Sequence, residues 1–399
     1  MRLLPHARRK INGGSALGFA QDSPTPFHCS LAAFASFFTQ LKFIMTRLAD
    51  ISFGILLACL AFSVTAADSP DLQKPPTSPL AKRPALSRLL VDDSGRPITT
   101  KPRWRRKRDE LKKKWLLVMG ELPSKKAPLK AQVLATEDLP DFKRQHVQYQ
   151  IEDGVFTDAY VLTPKNVKGK LPAVVVFHPT VSTHARQMAG IDESNPEKMH
   201  GVQLVKRGYL VLCPRCFIFA DGAGYADHVR LMQARHPNWT GMARMTYDGV
   251  RAVDYLESLP NVDPRRIGGF GHSLGAKEVL YAAAFDERYQ VAVFSEGGIG
   301  LGFSNWEAVW YLGAQIKQPN FALEHHQVLA LIAPRAFLLL AGESADGDKG
   351  WPFIESVMPV YRLLDAEKEI GWLNHRQGHR YPPEAEAVAE RFLDEHLKK

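Results

Sequence analysis

The residues with the most chemistry in them are Gly271-His272-Ser273-Leu274-Gly275, a serine held between two glycines. The surroundings give this short pattern its weight. Arg266 to Phe270 (RIGGF) predicts a strand running into it, and Leu274 to Phe285, rich in alanine, predicts a helix running out. A serine on such a strand-to-helix turn is a nucleophile elbow, with its hydroxyl exposed above the sheet edge. The glycines belong there because a side chain would collide with the neighbouring backbone. A serine hydroxyl is a weak nucleophile and needs a base. His379 follows Gly378 in a loop ahead of the closing helix and is the first candidate, with His375 second. His272, beside the serine, is expected to pack at the elbow.

A carboxylate must orient the base from a loop after a late strand. The strand Ala336 to Ala341 is followed by Gly342-Glu343-Ser344-Ala345-Asp346-Gly347-Asp348. Asp346 has the best distance from the strand end and is the leading acid. Asp348 is the alternative by its spacing to Pro352. Glu296, in Ser295-Glu296-Gly297-Gly298 after the preceding strand, and Glu343 are further candidates. The negative charge that forms during acyl transfer needs an oxyanion hole. Its donors should be the backbone N–H of Leu274 and one from His178-Pro179-Thr180-Val181. Pro179 has no N–H, so Thr180 is preferred and Val181 is next. His178 is expected to anchor that loop.

These residues need a scaffold, and periodicity supplies its outline. Gln145 to Ile151 and Phe156 to Leu162 alternate around Asp153-Gly154, the pattern of a β-hairpin. Short apolar runs then alternate with helical stretches. Strands are predicted at 173–177, 209–213, 266–270, 291–295, 336–341 and 369–373. Helices are predicted at 199–207, 241–258, 274–285, 351–364 and 383–397. An antiparallel opening followed by strand–helix alternation predicts an α/β fold, with a mostly parallel central sheet and helices on both faces. The catalytic domain is expected over 140–399.

The amino-terminal third reads differently. Met45-Thr46-Arg47, the apolar run Ile51 to Val64 and the small residues at 64–67 have the pattern of a secretory signal peptide over 45–67. Residues 1–44 are then expected to be a non-native upstream extension. Export to the periplasm or medium is expected, with a membrane anchor as the alternative. Once the signal is cleaved, no stable membrane insertion is expected. Residues 68–100, rich in proline, serine and lysine, read as a disordered linker. Residues 101–139 read as a helical segment whose Trp104, Leu111, Trp115, Leu116 and Met119 pack on the core. The chain has 399 residues and a formal charge of +9, and much of that excess lies before residue 131. No nucleic-acid signature accompanies the basic run at 101–114, so it is read as a solvated helix face and no nucleic-acid partner is expected. Of the four cysteines, Cys213 and Cys216 form a lone C-x-x-C pair, too few for a zinc site. They are expected to be a local disulfide or two free thiols.

With elbow, acid loop and histidine loop in place, residues 140–397 resemble the α/β-hydrolase superfamily. Within it they resemble the serine esterases of the dienelactone-hydrolase-like and acetyl-xylan-esterase-like branch. His178-Pro179, Asp263-Pro264-Arg265-Arg266-Ile267 leading into Gly271 to Gly275, the loop from Gly342 to Pro352, and Gly378-His379 carry the likeness. The resemblance implies a Ser-His-Asp triad, an acyl-enzyme hydrolysed by water, and no cofactor or metal. Dienelactone hydrolases proper use a cysteine nucleophile, so Ser273 shifts the expectation to carboxylic esters, of a small molecule or a carbohydrate. The loop after the first central strand reads His-Pro-Thr where the branch usually has His-Gly-Gly. A serine peptidase of the prolyl-oligopeptidase kind and an inactive binding protein on the same fold are the alternatives.

Overall fold

The computed structural model describes residues 71–77, 80, 83–220 and 224–398. The stretches expected to be a signal peptide and an upstream extension lie outside them, as do Cys29 and Cys59. The elements in chain order are α1 (Lys101–Met119), β1 (Gln132–Asp138), β2 (Phe142–Glu152), β3 (Val155–Pro164), β4 (Leu171–Phe177), α2 (Ala185–Met188), α3 (His200–Lys206), β5 (Leu210–Pro214), α4 (Tyr225–Gln233), α5 (Gly241–Ser258), β6 (Val262–His272), α6 (Leu274–Phe285), β7 (Tyr289–Ser295), α7 (His325–Ala330), β8 (Ala336–Ala341), α8 (Trp351–Leu363), β9 (Ile370–Asn374) and α9 (Pro383–Leu397).

Nine strands form one sheet in the order β1-β2-β3-β5-β4-β6-β7-β8-β9. β1, β2 and β3 pair antiparallel, as do β3 and β5. From β5 to the β9 edge every pairing is parallel. The hairpin turns at Asp153-Gly154, where Gly154 takes a φ of 73° that suits a tight two-residue turn. The parallel strands are apolar on both faces because helices cover both. On β4, Ala173, Val175 and Phe177 face a core built with α1, α5, α6, α7 and α8. Val174 and Val176 face a second core built with α3 and α9.

All active-site candidates leave the sheet at the carboxyl ends of parallel strands or just beyond, where such sheets place ligand crevices. The sheet order has a further consequence. β7 is the immediate neighbour of β6, whereas β8 lies one strand further out. A side chain after β7 therefore starts closer to a residue after β6.

Two stretches differ from expectation. The linker expected over 68–100 is, over residues 83–100, a strap laid on the domain. Leu89 and Ile98 are buried, Val91 bridges to Pro97, and the Nε2 of His326 bonds the carbonyl of Ser87 at 3.0 Å. Four apolar residues among its polar ones, Leu86, Leu89, Leu90 and Ile98, supply the burial. Cys213 and Cys216 are free, buried thiols. In α1, Trp104, Leu111, Trp115 and Met119 are the buried positions. Among the described residues no helix is long and apolar enough to cross a membrane.

Candidate active site

β6 ends on Gly271-His272, and α6 begins one residue after Ser273. Ser273 sits between them at φ 59°, ψ −115°, a conformation that costs a non-glycine residue free energy and survives only where packing enforces it. The enforcement is visible. A Cβ on Gly271 would lie 2.0 Å from the carbonyl oxygen of Gly275, and one on Gly275 would lie 2.1 Å from that of Phe177. The N–H of Ser273 donates to the carbonyl of Ser295 at 2.8 Å, tying the elbow to the end of β7. The Nδ1 of His272 and Oγ of Ser295 are 2.9 Å apart, so His272 does pack at the elbow.

His379 is exposed, with 43% of its side chain accessible, and its ring lies 4.8 Å from that of His272, the residue before the serine. Its Nδ1 is 3.3 Å from Oε2 of Glu296. A carboxylate only accepts, so Nδ1 carries the hydrogen and Nε2 is left as the basic nitrogen. Glu296 is fully buried and takes a positive φ of 51°. Its carboxylate is held by backbone donors. Oε1 accepts from the N–H of Gly342 and, at 3.3 Å, of Asp346, while Oε2 accepts from Ala345 at 2.8 Å. Strained backbone thus recurs at adjacent strand ends, at Ser273 after β6 and at Glu296 after β7.

Asp346, the leading acid from sequence, does not reach His379. Its two oxygens accept from the N–H groups of Gly298 and Ile299, both at 2.7 Å, and pin the loop that follows Glu296. Burial, with a contribution from Glu296, pushes its carboxyl up to about 6 against the pull of the two backbone bonds. Asp348 binds Asn374 and Arg376, and Glu343 binds the same two residues. The two of them shape the loop that delivers His379. His375 is buried at the root of that loop, its Nδ1 accepting from Gln377 at 3.2 Å. The carboxylate beside the imidazole is Glu296. Sequence reasoning ranked it behind Asp346 because strand order is not written in the chain.

Leu274 opens α6, so its N–H is among the first-turn donors that have no partner within the helix. Thr180 is exposed in the loop beyond β4. His178 anchors that loop. Its Nδ1 donates to Pro179 O at 2.7 Å, and its Nε2 accepts from the N–H of Cys216 at 3.0 Å. Burial pushes its pKa down to about 3, so the ring is neutral as this bonding requires. Sequence reading missed Lys277, one helical turn after Ser273. It is buried, its Nζ donates to Gly297 O at 2.6 Å and Ser304 Oγ at 3.0 Å, and burial brings it down to about 8. No cluster of metal-ligating side chains occurs among the described residues.

Residues 157–304 match the model of the dienelactone hydrolase family. The chain is 27% identical over 196 residues to the YtaP protein of Bacillus subtilis (strain 168), covering 47% of this chain and 63% of that one. It is 25% identical over 146 residues to the carbohydrate esterase MZ0003 of an unknown prokaryotic organism, covering 32% of this chain and 34% of that one. The chain therefore spans less than two thirds of these curated relatives. Among solved structures, a glucuronoyl esterase from Solibacter usitatus superposes with a TM-score of 0.66 at 18% identity, covering 79% of this chain and 98% of that one.

Proposed function

We infer, for a chain whose residues 157–304 match the model of the dienelactone hydrolase family and whose fold is that of the α/β-hydrolase esterases, that it hydrolyses carboxylic esters through Ser273, His379 and Glu296. The observation that carries this reading is that an imidazole whose Nδ1 is held by a buried carboxylate lies with its ring 4.8 Å from that of His272, the residue before the strained serine at the elbow. Glu296 replaces the aspartate expected from sequence as the orienting acid.

In the first half-reaction Ser273 Oγ attacks the ester carbonyl carbon while His379 Nε2 takes the hydroxyl proton. The N–H groups of Leu274 and Thr180 receive the developing oxyanion. Collapse breaks the bond to the alcohol, which leaves with the proton from His379, and the acyl group stays on Ser273. Water then attacks the acyl carbon, giving its proton to His379, and the acid departs as Ser273 recovers that proton. Glu296 holds the imidazole in the productive tautomer and stabilises its cationic form in both halves.

The relatives named for carbohydrate and glucuronoyl esters support a carbohydrate ester as substrate. The apolar run at 51–64 after Met45 supports export, where such polymers are met. The purified protein is expected to hydrolyse p-nitrophenyl acetate and to label with a fluorophosphonate. Ser273→Ala should lose both, and labelling that survives it would place the nucleophile elsewhere. Acetylated xylan set against glucuronoyl methyl esters would identify the ester class.

A further inference from the structure

A continuous row of aromatic side chains runs from the loop after β4 to the loop after β7. The rings of His178 and Phe219 are 5.0 Å apart, those of Phe219 and Tyr225 5.1 Å, and those of Tyr225 and Trp310 5.5 Å. Trp310 continues to Tyr311 at 6.1 Å, and Tyr311 to Trp306 at 5.7 Å. Both ends are tied to the site. His178 anchors the loop bearing Thr180. At the far end Lys277 Nζ, one turn beyond Ser273, lies 4.9 Å from the centre of the Trp306 ring and 5.1 Å from that of Tyr311.

The end members His178, Trp306 and Tyr311 are buried, as core aromatics are. The middle members Phe219, Tyr225 and Trp310 are only half-buried, although three separate segments bring them together. Trp310 is also firmly held. A Cβ on Gly241 would lie 2.1 Å from the carbonyl oxygen of Trp310, so the backbone under that indole is clamped to the start of α5.

We propose that Phe219, Tyr225 and Trp310 form a platform for the pyranose rings of an oligosaccharide ester whose acyl carbon is presented to Ser273. A pyranose has an apolar C–H face and a polar rim. Half-buried rings with polar tips, such as Tyr225 and Trp310, match both at once. A short simple ester would not extend over these three rings. The middle of the row matters to a substrate several rings long, which makes these residues determinants of specificity. The assignment rests on the esterase reading above.

Two measurements separate the two claims. Xylotetraose, cellotetraose and mannotetraose are titrated calorimetrically into Ser273→Ala, with and without Trp310→Ala or Tyr225→Ala. At least one of the three should bind, and each added substitution should weaken it about tenfold, the equivalent of one stacking contact. Trp310→Phe should retain binding within about threefold of that level, which excludes a mere folding defect. In the active enzyme, Trp310→Ala should lower kcat/KM for acetylated xylan about tenfold more than for p-nitrophenyl acetate. The platform is overturned if none of the three sugars binds, if binding ignores both substitutions, or if the two substrates suffer equally. Failure of the unsubstituted protein to hydrolyse any ester would instead strike the esterase reading itself.

Discussion

Glu296, Asp346 and Asp348 stand with Glu343 in the loops around His379, and their hydrogen bonds separate their roles. Glu296 spends one oxygen on the imidazole, Asp346 spends both on backbone N–H groups, and Asp348 spends its pair on Asn374 and Arg376. Loss of the orienting acid should leave the serine and oxyanion donors in place but spoil the tautomer. Glu296→Gln is therefore expected to lower kcat about 10³- to 10⁴-fold in ester hydrolysis assays. Asp346→Asn should lower it far less, and the reverse ranking would return the role to Asp346. The pH dependence of Asp346 has a definite sign. Its folded pKa is raised from the ordinary 3.8 to about 6, so the folded state binds the proton more tightly than the unfolded state. Stability from this group is full below the unfolded value and is lost as pH rises through the folded one. The loss is on the order of 3 kcal/mol. An asparagine side chain cannot titrate, so the stability of Asp346→Asn relative to wild type should rise between pH 4 and pH 6 in denaturant melts. A flat difference across that window would show that the carboxyl is not perturbed by folding.

At the level of elements, the elbow works because β4, β6 and α6 approach too closely for side chains at two positions. A Cβ at Gly275 would meet the Phe177 carbonyl and push α6 away from β4, shifting the Leu274 N–H and the serine together. Gly275→Ala is expected to lower thermal stability and abolish fluorophosphonate labelling even in the fraction that stays folded. Undiminished labelling would mean that the close approach is not needed. This turn was legible in the sequence because glycine spacing, an apolar strand and an alanine-rich helix all agree locally. The parallel strands were legible for the same reason, their apolar runs being short and cleanly bounded. β1 was not, since every residue from Gln132 to Asp138 is exposed and no buried face imprints a period. α7 has only six residues, all of them buried, too few to show a helical stripe. Glu296, the proposed acid, ranked behind Asp346 for a different reason. The choice between Glu296 and Asp346 depends on β7 lying next to β6, a fact of strand order that no local pattern carries.

Across the whole molecule, the amino-terminal helix is connected to the site by contacts that can be followed one by one. Trp115 of α1 is fully buried and stacks on His325 at 5.5 Å with the planes 23° apart. The Nδ1 of His325 donates to the carbonyl of Ile299 at 3.0 Å, and its Nε2 accepts from the Tyr281 hydroxyl at 2.9 Å. Burial pushes this imidazole down to about 3, so it stays neutral and one tautomer satisfies both bonds. The N–H of Ile299 is in turn one of the two donors that fix Asp346, whose own N–H bonds Glu296. A helix far along the chain from the nucleophile thus supports the loop that carries the proposed acid. Trp104, buried near the other end of α1, makes no side-chain hydrogen bond toward that loop among the described residues. Both Trp104→Ala and Trp115→Ala remove a large buried ring and should cost about 3–5 kcal/mol each, lowering the melting temperature by on the order of 5–10 °C. They should part company in kinetics. Measured well below the melting temperature, Trp115→Ala should lower kcat, and its effect should be non-additive with Asp346→Asn, because the two act through one loop. Trp104→Ala should leave kcat near that of the wild type. Equal kcat in the two tryptophan variants would reduce α1 to a cover for the apolar face of α6 and α7, with no part in holding Glu296.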